Sequence, residues 1–209
     1  MRDHDVDAVI RLGELAAQYA TIHRVTYLPD GVTPESDTDH TVMVGLIACA
    51  VASAFDQKLD VGLVAQFALV HDLVEAYAGD TNTFGGLSEH LNAEKEEREA
   101  AALLRIETEF CDTLPWIAET IRAYESLTTP EARFVKTLDK IMPKITRLLN
   151  KRHTTDAHAF DEHCRAQFEK IKNTYGYDQE VGLELYNATT VLVSKHLHTR
   201  QNTRNSAAS

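Results

Sequence analysis

Cysteine is scarce: Cys49, Cys111 and Cys164 are the only three in 209 residues, and no two form a CxxC pair. That number and spacing exclude a disulfide framework and a thiolate zinc site, so the three are expected as reduced thiols. Basic residues are a minority, 21 Lys and Arg against 32 Asp and Glu, for a formal net charge of −11. A field of that sign repels nucleic acid polymers, although a metal and a few placed cations can still admit a small anion. Long apolar runs are missing as well, with no stretch approaching the roughly 20 residues of a membrane span. The opening MRDHDVDAVI carries acids where a signal peptide needs bases and an apolar run. A cytoplasmic protein without membrane or nucleic-acid partners is therefore expected. Also absent are internal repeats, low-complexity blocks and strand alternation.

What is present is the balance of a globular domain, 44% hydrophobic and 25% charged residues. Periodicity is helical nearly throughout, which predicts an all-α helical bundle in a single domain over residues 1–200. A first helix is expected up to about Ile22, starting from the spacing of Val6, Val9, Ile10, Leu12, Leu15 and Tyr19. The stretch YLPDGVTPESD from Tyr27 to Asp37 concentrates turn residues and predicts a loop. Helices are then expected over Thr38–Phe55, Val61–Ala78, Ser88–Glu109, Pro115–Glu125, Pro130–Asn150, Asp156–Tyr175 and Gln179–His198. Residues 201–209, polar and aperiodic, read as a flexible tail.

Chemistry concentrates in ALVHDLVEAYAGDT, residues 68–81, where acids and an imidazole interrupt a buried pattern. At about 100° per residue His71 shares a face with the apolar Val64, Phe67, Val70 and Val74, so it points inward. Glu75 follows one turn later and Asp72 lies at the edge of that face. Burying three ionisable groups so close together is expensive unless a cation pairs them. His40 opens the next helix upstream, and Asp139 falls at the margin of the core stripe of RFVKTLDKIMPKITRLL. Pro143 cannot bond back to the Asp139 carbonyl, which predicts a kink. His40, His71, Asp72 and Asp139 make a mixed N,O donor set suited to one divalent ion, Mn²⁺, Co²⁺, Zn²⁺, Fe²⁺, Ni²⁺ or Mg²⁺.

The H…HD…D order, with HDLVEAYAGDT, ESDTDH (Glu35–His40), Arg24, the EKEEREA run from Glu94 and FVKTLDK, resembles the HD-domain 5′-deoxynucleotidase family over roughly residues 10–150. That resemblance implies an HD-domain helical bundle, often a homodimer, hydrolysing a small nucleotide substrate with one divalent metal. It implies His40, His71, Asp72 and Asp139 as ligands, Glu75 and Asp80 as catalytic carboxylates, and Arg24 and Thr81 as phosphate contacts. Where the family pattern has tryptophan after the arginine this chain has Val25, with Tyr27 the nearby aromatic that takes its place. Two other readings stay open: removal of an intact triphosphate from a deoxynucleoside triphosphate, and a non-catalytic nucleotide-binding module.

Lys136, Lys140, Lys144, Arg147 and Lys151 form one helical stripe, expected as a solvated basic face on an acidic protein. His153, His158 and His163 recur every five residues, a spacing that puts no two on one helical line and predicts no metal site.

Overall fold

The computed structural model describes every residue except 1, 57, 151–154, 176–179 and 209. Lys151 and His153 thus lie outside the described residues. The elements run α1 (Asp3–Tyr19), β1 (His23–Tyr27), β2 (Pro34–Ser36), α2 (Asp37–Phe55), α3 (Val61–Val70), α4 (Glu75–Ala78), α5 (Glu89–Phe110), α6 (Trp116–Glu125), α7 (Pro130–Leu149), α8 (Ala157–Tyr175) and α9 (Glu180–Ala208). The chain is all-α apart from the small hairpin.

Local chemistry sets these boundaries. Ser36 caps α2 through a reciprocal pair: its Oγ accepts from Asp39 N at 3.1 Å, and Asp39 Oδ2 accepts from Ser36 N at 3.0 Å. Asp60 caps α3 by accepting from Gly62 N and Leu63 N at 2.8 and 3.2 Å. Thr129 caps α7, with Pro130 at the first position, where its missing N–H has no partner to lose. α7 runs unbroken through Pro143.

α7 is the central helix. Its Phe134, Val135, Leu138, Ile141 and Met142 pack with Val44, Ala48 and Ala52 of α2 and with Val64, Phe67 and Ala68 of α3. A second cluster joins Leu15 and Tyr19 of α1 to Val70, Ile106, Phe110 and Ile121. A third holds α8 to α9 through Phe160, Cys164, Val193 and Leu197, with Phe84 against it. By length and composition alone, the helix Asp37–Phe55 and the helical stretch Val61–Ala78 do reach those of a membrane span, which corrects the sequence expectation. Here they pack against each other, and α2 and α3 both pack on α7.

Three further expectations need correction. The segment Tyr27–Asp37 is not all loop: β1 and β2 pair antiparallel, with His23 opposite Ser36 and Tyr27 opposite Pro34, and an irregularity between. Its turn is closed by Asp30 Oδ1, which accepts from Val32 N and Thr33 N, both at 2.9 Å, and by Gly31 at φ +70°. The expected Val61–Ala78 helix is interrupted at residues 71–74. There Leu73 N, Glu75 N and Ala76 N bond to carbonyls three residues back, a tightened turn that helical periodicity cannot distinguish from a full α-helix. The C-terminal residues, expected as a tail, continue α9 to Ala208. Gln201 explains part of this, since its Nε2 donates to Asp156 Oδ2 at 3.0 Å and its Oε1 accepts from Ala157 N at 3.1 Å, tying α9 to the start of α8.

Candidate metal centre

Three segments converge on one buried point. α2 brings His40 in its first turn, the break after α3 brings His71 and Asp72, and the middle of α7 brings Asp139. One donor atom from each of the four lies within 4.8 Å of all the others. Ligand bonds of about 2.0–2.2 Å allow donors so spaced to share one ion.

Both imidazoles are held through Nδ1 and direct Nε2 at the carboxylates. His71 Nδ1–H donates to the Ala68 carbonyl at 2.8 Å. Its Nε2 is buried without a hydrogen-bond partner, 3.2 Å from Asp72 Oδ2 and 3.9 Å from Asp139 Oδ1. An orphaned lone pair facing two carboxylates is the strongest sign that these residues fit a cation. His40 is fully buried, its Nδ1–H donating to Glu35 Oε1 at 3.0 Å and its Nε2 facing Asp139 Oδ1 at 3.0 Å. Burial opposes its charged form, but the bonds to Asp139 and Glu35 outweigh burial and raise its pKa. Asp139 is also buried. Burial would raise its pKa, but Lys140, which donates to it at 2.7 Å, and His40 hold it well below the ordinary range.

Beside the four donors lies a second carboxylate group, Asp37, Glu75 and Asp80, arranged around Arg24. Arg24 Nη1 stands 3.1 Å from Asp72 Oδ2, 3.2 Å from Asp37 Oδ1 and 3.6 Å from Glu75 Oε2. Burial and the neighbouring Asp72 and Asp37 charges push Glu75 up to about 11. Asp37 is raised to about 6, chiefly by burial, while Asp80 is raised by burial and by Asp72 against the pull of Arg24. A carboxylic acid that keeps its proton at neutral pH is a competent proton donor. Asp80 follows Gly79, whose φ of +76° turns the chain out of α4.

The remaining expected residues divide. Thr81 faces the cavity, its Oγ1 accepting from Arg98 Nη2 at 2.7 Å. Tyr27 does not reach it: the ring sits at the end of β1, 45% exposed, and lines neither this cavity nor a smaller one beside Asp139, whose wall includes Val25. The cavity in front of the centre measures about 1050 Å³ and is lined by His71, Asp72, Glu75, Asp139, Lys136 and Gln167 among others, room enough for a nucleotide.

Sequence reasoning left two kinds of residue unassigned. Glu35 and Asp37, both fully buried, support His40 and Arg24; their only signal was acidity inside ESDTDH. The basic stripe of α7, expected to be solvated, is partly enclosed. Lys144 is 2% exposed, and Lys140, Lys144 and Arg147 line the wall beside Asp139, because α9 packs along α7 and brings the Tyr186 ring to 2.9 Å from Lys144 Nζ. A helical wheel shows the stripe but not what lies over it.

Comparison with known proteins follows this geometry. The model of the HD domain family matches residues 16–177. The fission-yeast (Schizosaccharomyces pombe) 5′-deoxynucleotidase hdd1 is 30% identical over 142 residues, 64% of this chain and 67% of its own length. Human (Homo sapiens) 5′-deoxynucleotidase HDDC2 is 27% identical over 66% of this chain and 65% of its own length. The match thus spans about two thirds of these curated relatives. A crystal structure of a predicted metal-dependent phosphohydrolase from Magnetospirillum magnetotacticum aligns with a TM-score of 0.69 at 27% identity, covering 92% of this chain and 93% of that one. A divalent-metal donor set in this fold, together with a family match over most of the chain, establishes that the protein belongs to the HD-domain family, on its 5′-deoxynucleotidase-like branch.

Proposed function

We propose that the protein is a metal-dependent 5′-deoxynucleotidase, hydrolysing deoxyribonucleoside 5′-monophosphates to nucleoside and phosphate. The observation that carries this is the union of four convergent donors with a buried Glu75, whose pKa is raised, and an arginine at one cavity. Names of the relatives support the substrate class.

His40, His71, Asp72 and Asp139 are the ligands in this reading. When bound, the ion supplies Lewis-acid polarisation of a phosphoryl oxygen and lowers the pKa of nearby water. Two imidazoles favour Mn²⁺, Fe²⁺, Co²⁺, Ni²⁺ or Zn²⁺ over Mg²⁺. Arg24 orients the phosphate: its Nη1 is engaged by carboxylates, and its Nη2 makes no hydrogen bond among the described residues. Glu75 holds the proton that the leaving 5′-oxygen takes up, and Asp80 orients the attacking water. Thr81 contributes a hydroxyl to the phosphate. A pure binding module has no need of a buried, proton-holding Glu75, which disfavours that reading.

A homodimer belongs to the same proposal, supported by Val42 and Leu46 of α2 and Leu69 of α3, which stand exposed. Sedimentation as a monomer at micromolar concentration would count against it. Unpaired Cys49, Cys111 and Cys164 support a cytoplasmic setting.

The test is a panel of deoxy- and ribonucleoside mono-, di- and triphosphates with each metal. Phosphate released from deoxy monophosphates, and abolished by Glu75→Ala, supports the proposal. Absence of turnover with every metal overturns it.

A further inference from the structure

The enclosed basic wall of α7 is not used by the reaction above. Lys140, Lys144 and Arg147 recur at spacings of four and seven, one helical face, and the last two lie roughly 7.5 and 12 Å along the axis from Asp139. Lys140 is paired with Asp139. Lys144 and Arg147 form no ion pair among the described residues. Lys144 Nζ has Gln167 Oε1 at 3.3 Å and the Tyr186 ring as neighbours, neither of them an anion. The Arg147 guanidinium lies 4.7 Å from the Phe84 ring centroid, and its Nε is buried without a hydrogen-bond partner.

A buried lysine and a half-buried arginine stand on one wall without an ion pair, Glu35 being the carboxylate whose charge reaches Arg147, and such cations are costly to enclose unpaired. The surroundings are built to keep such a wall intact. His163, brought from α8, accepts from Gly85 N at 3.3 Å and stacks on Phe84, fixing the loop after Thr81 over the same cavity. Burial and the nearby Arg147, Lys144 and Lys140 charges bring His163 down to about 4, so it presents no charge there at neutral pH. Burial likewise brings Lys144 down to about 7, with Arg147 acting in the same direction. An anion seated between them opposes both effects.

We propose that Lys144 and Arg147, with Gln167 alongside, form a second anion site next to the metal centre that takes a phosphate-sized dianion. A smaller cavity of about 70 Å³ beside the large one joins the two sites, since Arg24, Asp80 and Asp139 line it together with Lys144, Arg147 and Gln167. The dianion is either a second phosphoryl group of the substrate or free inorganic phosphate. Choosing phosphate rests on the functional reading above; the binding test does not.

Inorganic phosphate is titrated calorimetrically into the metal-loaded full chain, into Asp72→Ala, in which the metal centre is disabled, and into Arg147→Gln and Lys144→Gln in each background. Circular dichroism verifies the folding of each variant, and Arg147→Lys serves as the conservative rescue if Lys144→Gln is unstable. Phosphate binding is expected to survive Asp72→Ala and to weaken at least tenfold with Arg147→Gln. Equal affinity in Arg147→Gln, or loss of all phosphate binding in Asp72→Ala, overturns the site. Kinetics then separate the sources. If the dianion belongs to the substrate, Arg147→Gln lowers kcat/KM at least tenfold for a deoxynucleoside diphosphate and under threefold for the monophosphate. If it is free phosphate, both substrates are unaffected and product inhibition weakens tenfold. A chain that turns over no nucleotide but binds phosphate through Arg147 refutes the nucleotidase and leaves the anion site standing.

Discussion

Replacing Lys144 by Met makes a measurable statement about the buried basic wall. The ammonium falls from 10.5 to about 7 in the folded chain, mainly because burial penalises its charge. Each unit of such a shift corresponds to about 1.4 kcal/mol, so the folded state carries a penalty of roughly 5 kcal/mol whenever the lysine is charged in both states. Met retains the length and apolar volume of the stem but gives up the contact with Gln167, a loss of about 1 kcal/mol. Below pH 7 the variant should therefore be more stable than the parent by roughly 4 kcal/mol. Between about 7 and 10.5 the unfolded parent binds more protons than the folded one, so parent stability rises with pH and the difference shrinks. Above the unfolded value only the small contact loss remains, and the variant becomes slightly the weaker. Urea unfolding of both chains across this range, without phosphate, gives the difference at each pH. A difference that stays flat with pH, or a variant already less stable under mildly acidic conditions, would refute the reasoning.

The metal centre supplies two further tests. Asp72→Ala should reduce bound metal from about one per chain to under a tenth, read by elemental analysis, because it removes one of four donors and leaves Arg24 without its nearest carboxylate. Glu35→Gln leaves the four donors in place but weakens the acceptor that orients His40 Nδ1–H. It should lower metal affinity about 10–100-fold in competition with a chelator, with the melting transition still cooperative; unchanged affinity would show that His40 is oriented by its helix alone.

How much was legible beforehand depended on whether a feature is local. Helix positions followed from periodicity and caps, so α2, α5, α6 and α7 lie within a residue or two of expectation. The tightened turn at His71 escaped because bonds three residues back leave the apolar pattern on either side helical in period. β1 and β2 escaped because five and three residues are too few for alternation to stand out. Within the site, the HD dipeptide, His40 and Asp139 were marked by polarity inside apolar patterns, and the structure gathers them at one point. Glu35 and Asp37 are equally buried, but acids in a polar loop carry no such contrast. The stripe on α7 was visible as a stripe; its enclosure depends on α9, about 40 residues later in the chain, which no local pattern announces.

The hairpin has a consequence for how this molecule can diversify. β1 carries Arg24 and β2 carries Glu35, and the register that sets His23 opposite Ser36 positions both. One ribbon therefore joins the arginine proposed to orient the phosphate to the acid that holds His40 Nδ1. A slip of one residue in either strand would turn its side chains to the opposite face and disable both ends at once. The tip is surface chain, with Pro29, Asp30 and Val32 exposed and Asp30 bonding locally to Val32 N and Thr33 N. Lengthening a surface turn adds little closure entropy, about 0.6 kcal/mol per doubling. Insertions there would lengthen the ribbon away from the cavity while the ladder that positions Arg24 and Glu35 stays fixed.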